Sequence, residues 1–415
     1  MKIMNKRLIS ILILFVALVV SMPQQVYASE SSEEGKVDLK EIIFHHLGDG
    51  YGWEVPFSHT HRIPLPVIVI AEDGTLHCFS SGRLTEIKDV EDANGEVHHE
   101  VEHSVYKADN GDMFMIAPHS SANKNKVVQI FPLTAEEESN IKMTADSISK
   151  AERISVSEVS IPGYMNNHGV FYREYKPWDF SITKNVLAIF ISAMVVYLMI
   201  MTINRWYKKN PLKSPRKASA FLELILEFIY DGVIKSTLGE KAPKFAPYLL
   251  TAFFFILVMN ILGLIVIFPG GANLTGNIAV TMVLAILTFI MTNVLGTKHY
   301  WKEIFWPEVP MFLKFPLPIM QMIEIFGIFT KPAALCVRLF ANMMGGHMIV
   351  ITLVSLIFIF AAFGAAVAGA TTVVSLLFTI FMLTLDVLVS FIQAYVFTML
   401  STMFISMAQA GEHHE

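Results

Sequence analysis

Cysteine is almost missing from this chain, with two in 415 residues, Cys78 and Cys336. One lies in a polar stretch and the other in an apolar one; no disulfide framework can form from them, and neither has metal-ligand spacing. Both are expected to be small packing residues. Charge is scarce as well: Asp, Glu, Lys and Arg make up 16% of the chain, against about 25% in a soluble domain. The net charge of −5 names no partner, and no nucleic acid is expected to bind. The phosphate-loop pattern GxxxxGK[ST] is missing, so direct nucleotide binding is not expected and any use of ATP falls to another chain. No cofactor is implied. What the chain has in abundance is apolar sequence. Hydrophobic residues make up 53% and mean hydropathy is +0.51, which describes a membrane protein with a soluble part attached.

Taken in order, residues 1–28 read as a signal peptide. Lys2, Lys6 and Arg7 form a basic start, residues 8–20 an apolar core, and Val26-Tyr27-Ala28 a small-residue cleavage site. Removal after Ala28 would place the mature N-terminus outside the cytoplasm. Residues 29–175 are polar, with β-type runs at 66–70, 126–131 and 154–159 and turn signals at Asp73-Gly74 and Asn110-Gly111-Asp112. They are expected to form a small β-rich extracytoplasmic domain and a linker. Ten histidines fall here: His45, His46, His59, His61, His77, His98, His99, His103, His119 and His168. No fixed metal-ligand spacing links them, so solvated surface histidines are the expectation.

The membrane part, residues 176–415, opens with an expected span at 184–203, long enough for the ~20 residues that a bilayer core requires. Arg205, Lys208, Lys209, Lys213, Arg216 and Lys217 follow and mark the cytoplasmic side. Residues 219–238 carry Glu223, Glu227, Asp231 and Lys235 every four residues, the pattern of a helix lying in the interface. Spans are expected at 245–268 and 278–295, then an entry segment at 305–317 broken by Pro307, Pro310 and Pro316. Two overlong apolar stretches end the chain. Residues 318–363 and 371–408 would be about 69 and 57 Å long at ~1.5 Å per residue, whereas a hydrocarbon core is only ~30 Å thick. Either each stretch breaks into pieces, or both tilt strongly as a helical hairpin with its turn at 364–370. The count of charges and turns allows both, and the C-terminus ends in the cytoplasm either way.

Between Pro332 and Ala362 the only strongly polar side chains are Arg338, Asn342 and His347. A guanidinium keeps its charge at any accessible pH and costs at least ~2.5 kcal/mol at mid-bilayer depth. Near a span end it could snorkel to a headgroup, but here apolar sequence flanks it on both sides. An intramembrane Arg of this kind is a functional-site candidate. At 100° per residue, Glu324, Lys331 and Arg338 share one helix face, which Asn342 and Gly345 continue; Pro332 can bend the helix beside Lys331. His347 turns about 900° from Arg338 and points the opposite way. Asp386 and Gln393, again seven apart, provide a matching pair in the second stretch. An unpaired Asp in lipid would protonate, and His347 is chemically suited to partner it, as in a proton relay. A buried structural pair is the blander alternative.

These segments, KPAALCVRLFANMMGGH and LDVLVSFIQAYVFTMLSTMFISMA, closely resemble the a subunit of F-type ATP synthases, the membrane stator beside the rotating c-ring. MNILGLI before a proline turn resembles an earlier span of that family. The resemblance runs from about residue 185 to 408 and leaves 29–175 as an enlarged outer domain. It implies an α-helical polytopic membrane protein of about five transmembrane helices, the last two long and strongly tilted along the ring. Arg338 would face the ring, Glu324 would border a cytoplasmic half-channel, and Asn342, His347, Asp386 and Gln393 would mark the outer one. In the family the positions of His347 and Asp386 hold an ionisable pair whose identities vary. The implied partners are the c-ring, the peripheral-stalk b subunits and the rest of the synthase, in a bacterial inner (plasma) membrane.

Two other classes remain open at this level. A secondary transporter predicts internal repeats and broken midplane helices, and no convincing repeat is present. A purely structural anchor for the outer domain leaves Arg338 and Asp386 without a reason.

Overall fold

The computed structural model describes residues 49–54, 62–91, 97–118, 121, 123–152, 161–167, 170–210, 218–265, 271–305, 319–361 and 365–409. Several expectations lie outside the described residues: the signal peptide, the run at 154–159, all of the segment 305–317 except Phe305, and the C-terminal tail. So do His45, His46, His59, His61, His119 and His168, together with Lys213, Arg216 and Lys217.

The first half is built of short antiparallel strands. In chain order they are β1 (Gly52–Glu54), β2 (Arg62–Pro64), β3 (Pro66–Ile70), β4 (Leu76–Ser80), β5 (Thr85–Glu91), β6 (Val97–His103), β7 (Tyr106–Lys107), β8 (Met113–Ile116), β9 (Val127–Pro132), β10 (Tyr164–Asn167), β11 (Val170–Tyr175) and β12 (Trp178–Asp179). They form a five-stranded sheet in the order β10-β11-β9-β8-β7, a three-stranded sheet β12-β3-β4, and the pairs β1-β2 and β5-β6. The runs at 66–70 and 126–131 are strands because alternate residues can turn inward. In β3 it is Val67 and Val69 that are buried, and they share a core with Phe79, Phe114, Ile116 and Val127. Both turn signals sit at reversals. Gly74 and Gly111 adopt φ of +83° and +98°, which glycine enters without a Cβ penalty.

Sequence reading missed one helix in this region, α1 (Ala135–Glu152). Its start carries a capping box, Thr134-x-x-Glu137: the Glu137 carboxylate accepts from the Thr134 backbone N–H at 3.1 Å and from its hydroxyl at 2.8 Å. Ile141 and Ala145 bury against Phe171 of β11. Cys78 also differs from expectation. It stands on β4 and is exposed, whereas Cys336 is buried, its sulfur 3.4 Å from the Thr281 hydroxyl.

The second half is helical. α2 (Lys184–Lys209) starts with two side-chain caps, Thr183 Oγ1 accepting from Val186 N–H and Asp49 Oδ1 from Asn185 N–H at 3.1 Å. It runs six residues past the expected span, taking Arg205, Lys208 and Lys209 into its last turns. The expected interfacial helix is shorter than read and is joined to the span that follows. α3 (Ala218–Ile229) passes through a π-helical turn at Tyr230–Lys235 and a short turn at Ser236–Leu238. The chain then bends at Gly239, φ +56° and ψ −126°, before α4 (Ala242–Leu264). α5 (Ile278–Val294) and α6 (Lys298–Phe305) come next.

The last two elements are α7 (Ile319–Ala361, 43 residues) and α8 (Ala365–Gln409, 45 residues). Each expected stretch is therefore one continuous helix, unbroken even at Pro332. The turn read at 364–370 is shorter than that, because α8 already starts at Ala365. The helices share one buried cluster centred on α4, whose Phe245, Phe253, Ile256 and Met259 are fully enclosed. The C-terminal end of α8 is tied down by hydrogen bonds: Lys241 Nζ donates to the Gln409 carbonyl, Thr297 N–H to the Ala408 carbonyl, and Gln409 Nε2 to the Leu295 carbonyl. Four helical segments, Lys184–Lys209, Ser219–Leu264, Gln321–Ile357 and Gly369–Gln409, are long and apolar enough to cross a bilayer, and Ile278–Val294 is a shorter apolar helix.

Candidate functional site

The expected polar residues fall into three groups on α7 and α8. Arg338 and Asn342, one turn apart on α7, are both exposed on the face turned away from the helical core. Their neighbours Leu335, Leu339 and Met343 are buried. Among the described residues Arg338 has no hydrogen-bond or ion-pair partner. Lys331, one of the residues predicted to share this face, lines an open cavity of about 300 Å³ together with Arg338, Leu400 and Phe404. Its ammonium lies 5.8 Å from the centre of the Phe404 ring, a cation–π contact that partly compensates its burial.

Glu324 lies two turns further toward the α7 N-terminus and is half-buried. It acts on Tyr300 of α6, whose hydroxyl donates to Asn293 Oδ1 at 3.2 Å. Burial raises the Tyr300 phenol above its usual range, and the nearby Glu324 charge raises it further.

His347 points away from the Arg338 side, as its position nine residues on requires. Its Nε2 is enclosed and has no hydrogen-bond partner among the described residues, and it faces Gly263 of α4, where an added Cβ would lie 3.9 Å away. Asp386 of α8 packs over Gly346 instead. A Cβ at Gly346 would lie 2.7 Å from Asp386 Oδ1, so any larger residue would force this carboxylate to move. The structure thus brings His347 and Asp386 to the same stretch of the helix pair without a hydrogen bond between them. Gln393, two turns on from Asp386, is buried.

Sequence reasoning passed over the surroundings of His347. Asn260 of α4 is fully buried; its Nδ2 donates to the Ser390 carbonyl at 3.4 Å, while its Oδ1 has no partner among the described residues. Asn273 Nδ2 and Thr275 Oγ1, in the loop after α4, are likewise buried and without a partner among the described residues. A Cβ at Gly263 would also meet the Ala272 carbonyl at 3.5 Å, which sets this loop against the same spot. Unpaired buried polar atoms cost about 1–3 kcal/mol each, and such groups are normally satisfied by water when the site is polar and roomy. The signal was present in the sequence as Asn260 within MNILGLI, an amide in an otherwise apolar run.

Helices of this length and composition, with a fixed cation on one face of the last pair and titratable groups on the other, define a polytopic helical membrane protein with ionisable groups inside its spans. The chain belongs to the ATP synthase A chain family, whose model matches residues 186–406. It is 39% identical to ATP synthase subunit a of Chlorobium phaeobacteroides (strain DSM 266 / SMG 266 / 2430) over 243 residues, which is 57% of this chain and 68% of the relative. It is 41% identical to ATP synthase subunit a of Myxococcus xanthus (strain DK1622) over 246 residues, 57% of this chain and 76% of the relative. A second family model, described as a domain of unknown function (DUF8433), matches residues 42–146, in the strand-rich half.

Proposed function

We propose that this chain is the ion-conducting stator subunit of an F-type ATP synthase, working beside a ring of carboxylate-bearing subunits and held by peripheral-stalk b subunits. One observation carries the reading: Arg338 stands on the exposed face of a long apolar helix, with no counter-charge among the described residues of its own chain. A permanent cation at that depth calls for an anion supplied from outside. A carboxylate moving past on a neighbouring ring meets that need, and Arg338 favours its ionised form.

The two ends of α7 and α8 then divide the work. On the outer side, ions enter through the polar atoms around His347, Asn260, Asn273 and Thr275 and reach the ring by way of Asp386, Asn342 and Gln393. On the cytoplasmic side Glu324 borders the exit, with Lys331 between it and Arg338. A ring carboxylate that has taken a proton is neutral and passes through lipid cheaply; a charged one does not. Arg338 between the two openings blocks direct leakage, as a fixed cation does in selective pores. Each charge moving through 100 mV releases ~2.3 kcal/mol to drive rotation.

In this reading the chain crosses the membrane about five times, counting α2, α4, α5, α7 and α8. At ~1.5 Å per residue α7 and α8 are about 65 and 68 Å long, so both lie strongly tilted in a ~30 Å core. Residues 1–28 direct export and are removed, residues 29–175 form the extracytoplasmic domain, and the C-terminus lies in the cytoplasm of a bacterial inner membrane. The reading is tested by purifying the chain from a membrane that contains its partners. It predicts co-purification with a ring of small hairpin subunits, and ion flux through the assembled membrane sector that falls at least about a hundredfold in Asp386→Asn, the lower end for one lost proton-transfer group. A chain that purifies without such a ring, or an unchanged flux, contradicts it.

A further inference from the structure

The strand-rich half is joined to the first span without slack. Phe180 N–H donates to the Ile68 carbonyl, Ile182 N–H to the Pro66 carbonyl and Lys184 N–H to the Gly50 carbonyl, so sheet bonding continues from β12 to the first residue of α2. Trp53 of β1 belongs to the same buried cluster as Ala188 and Val196 of α2. The sheet is therefore held at the N-terminal end of α2.

In this extended segment alternate residues take opposite sides. Asp179 and Ser181 bond back to the strand-rich half: Tyr51 O–H donates to Asp179 Oδ2 at 2.5 Å, although Asp179 itself stays exposed, and the buried Ser181 accepts at Oγ from Ile68 N–H at 3.0 Å. Trp178 and Phe180 turn outward and are 69% and 61% exposed, with Ile182 partly exposed on the same side. A strand bathed in water would carry polar residues there. Beside this stripe a cleft of about 820 Å³ opens at the foot of α2, reaching Thr183; three exposed lysines line it, Lys124, Lys126 and Lys176, together with Asp49 and Asp179, whose carboxylates are already engaged by Gly50, Asn185, Tyr51 and Ser181. The first two come from a tight turn in which Asn125 adopts φ +61°. None of the three has an ion-pair partner among the described residues. Exposed indole next to a span start is the composition of a membrane interface, and lysines at that level select for anionic headgroups.

We propose that this cleft and the Trp178–Phe180–Ile182 stripe form a membrane-surface dock, in which the three lysines take the phosphate of an anionic phospholipid while the apolar stripe rests among its acyl chains. The strand-rich half is thereby seated on the leaflet that α2 enters, by contacts separate from those of the ion path. Lipid is favoured over another protein chain because charge and apolar side chains are layered here, lysines beside a stripe that runs into a span.

The test uses the full chain in its assembled complex, in phosphatidylcholine vesicles containing phosphatidylglycerol, with bromine on the acyl chains of one lipid or the other. Trp178 fluorescence is obtained as the difference from W178F. Brominated lipid is expected to quench it, the anionic lipid more effectively than the zwitterionic at equal fraction. The variant K124E/K126E/K176E is expected to lower that preference at least about fivefold, the factor contributed by one lysine near an anionic surface. Trp178 unquenched by either lipid would mean that water or another subunit covers the stripe, and overturns the proposal. So would a preference unmoved by the charge reversals, or millimolar inorganic phosphate displacing the anionic lipid.

Discussion

Glycine sets how closely Asp386 packs over α7, while Gly263 merely adjoins His347 at an ordinary contact distance. Asp386 fits over α7 because residue 346 has no side chain, and His347 Nε2 fits against α4 beside Gly263. Gly346→Ala would put a methyl group 2.7 Å from Asp386 Oδ1, so either the carboxylate shifts or the helices part. The expected result is ion flux reduced at least about tenfold, given that a displacement of ~1 Å at a reacting group can cost up to 10²-fold, with the complex still assembled. Flux equal to wild type, measured by dye quenching in sealed vesicles, would show that Asp386 does not need this position. The sequence showed both titratable residues and their helical phases, but not that they would miss one another. A hydrogen bond depends on how two helices are set against each other, and periodicity within one helix carries no information about that. Cys78 makes the same point: its neighbours mark a strand, and which face of that strand is covered is decided by the sheet packed against it.

Among the elements, α1 and the α3–α4 bend each rest on a local device. Glu137 at the start of α1 is held below the usual carboxylate range, first by the Thr134 backbone N–H and then by its hydroxyl. A carboxyl depressed in the folded state contributes stability above its unfolded pKa, and this contribution is lost as pH falls through the folded pKa. The protection of α1 amides, taken relative to their intrinsic exchange rate at each pH, should therefore fall on acidification through and below the usual carboxylate range. Glu137→Ala should exchange faster at neutral pH and lose the added acid response; identical exchange in the two proteins would remove the cap as a cause. The bend at Gly239, φ +56° and ψ −126°, lies where residues with a Cβ are strained by about 1–3 kcal/mol. Gly239→Ala is expected to lower thermal stability by that order, and an unchanged melting temperature would mean that the bend relaxes freely. Of these two features, the cap was legible as Thr134-x-x-Glu137 and was overlooked within a polar, strand-rich stretch. The continuity of α3 into α4 was not legible: the sequence set 219–238 and 245–268 apart as two helices, and the structure joins them through turns and the bend at Gly239.

At the scale of the whole molecule, two halves of different composition share one buried residue of note. Trp53, 2% exposed, comes from the strand-rich half and sits in the cluster of the membrane helices. Trp53→Ala should cost about 3–5 kcal/mol and expose the junction before α2 to protease while leaving the helical part intact; an unaltered cleavage pattern would show that the junction is held elsewhere. The helical half was readable from sequence because apolar length and isolated charges leave few alternatives in lipid. The strand-rich half was readable only as strands and turns, since its sheet order depends on contacts between distant residues. Arg338 stands on its exposed helix face with no partner among the described residues, which is the place proposed for a passing anion. The direct measurement is ATP synthesis driven by an imposed proton gradient in vesicles carrying the assembled complex with Arg338→Ala. The account predicts that synthesis is lost while the complex assembles normally and passive proton leak through the membrane sector rises; synthesis that persists in that variant would contradict it.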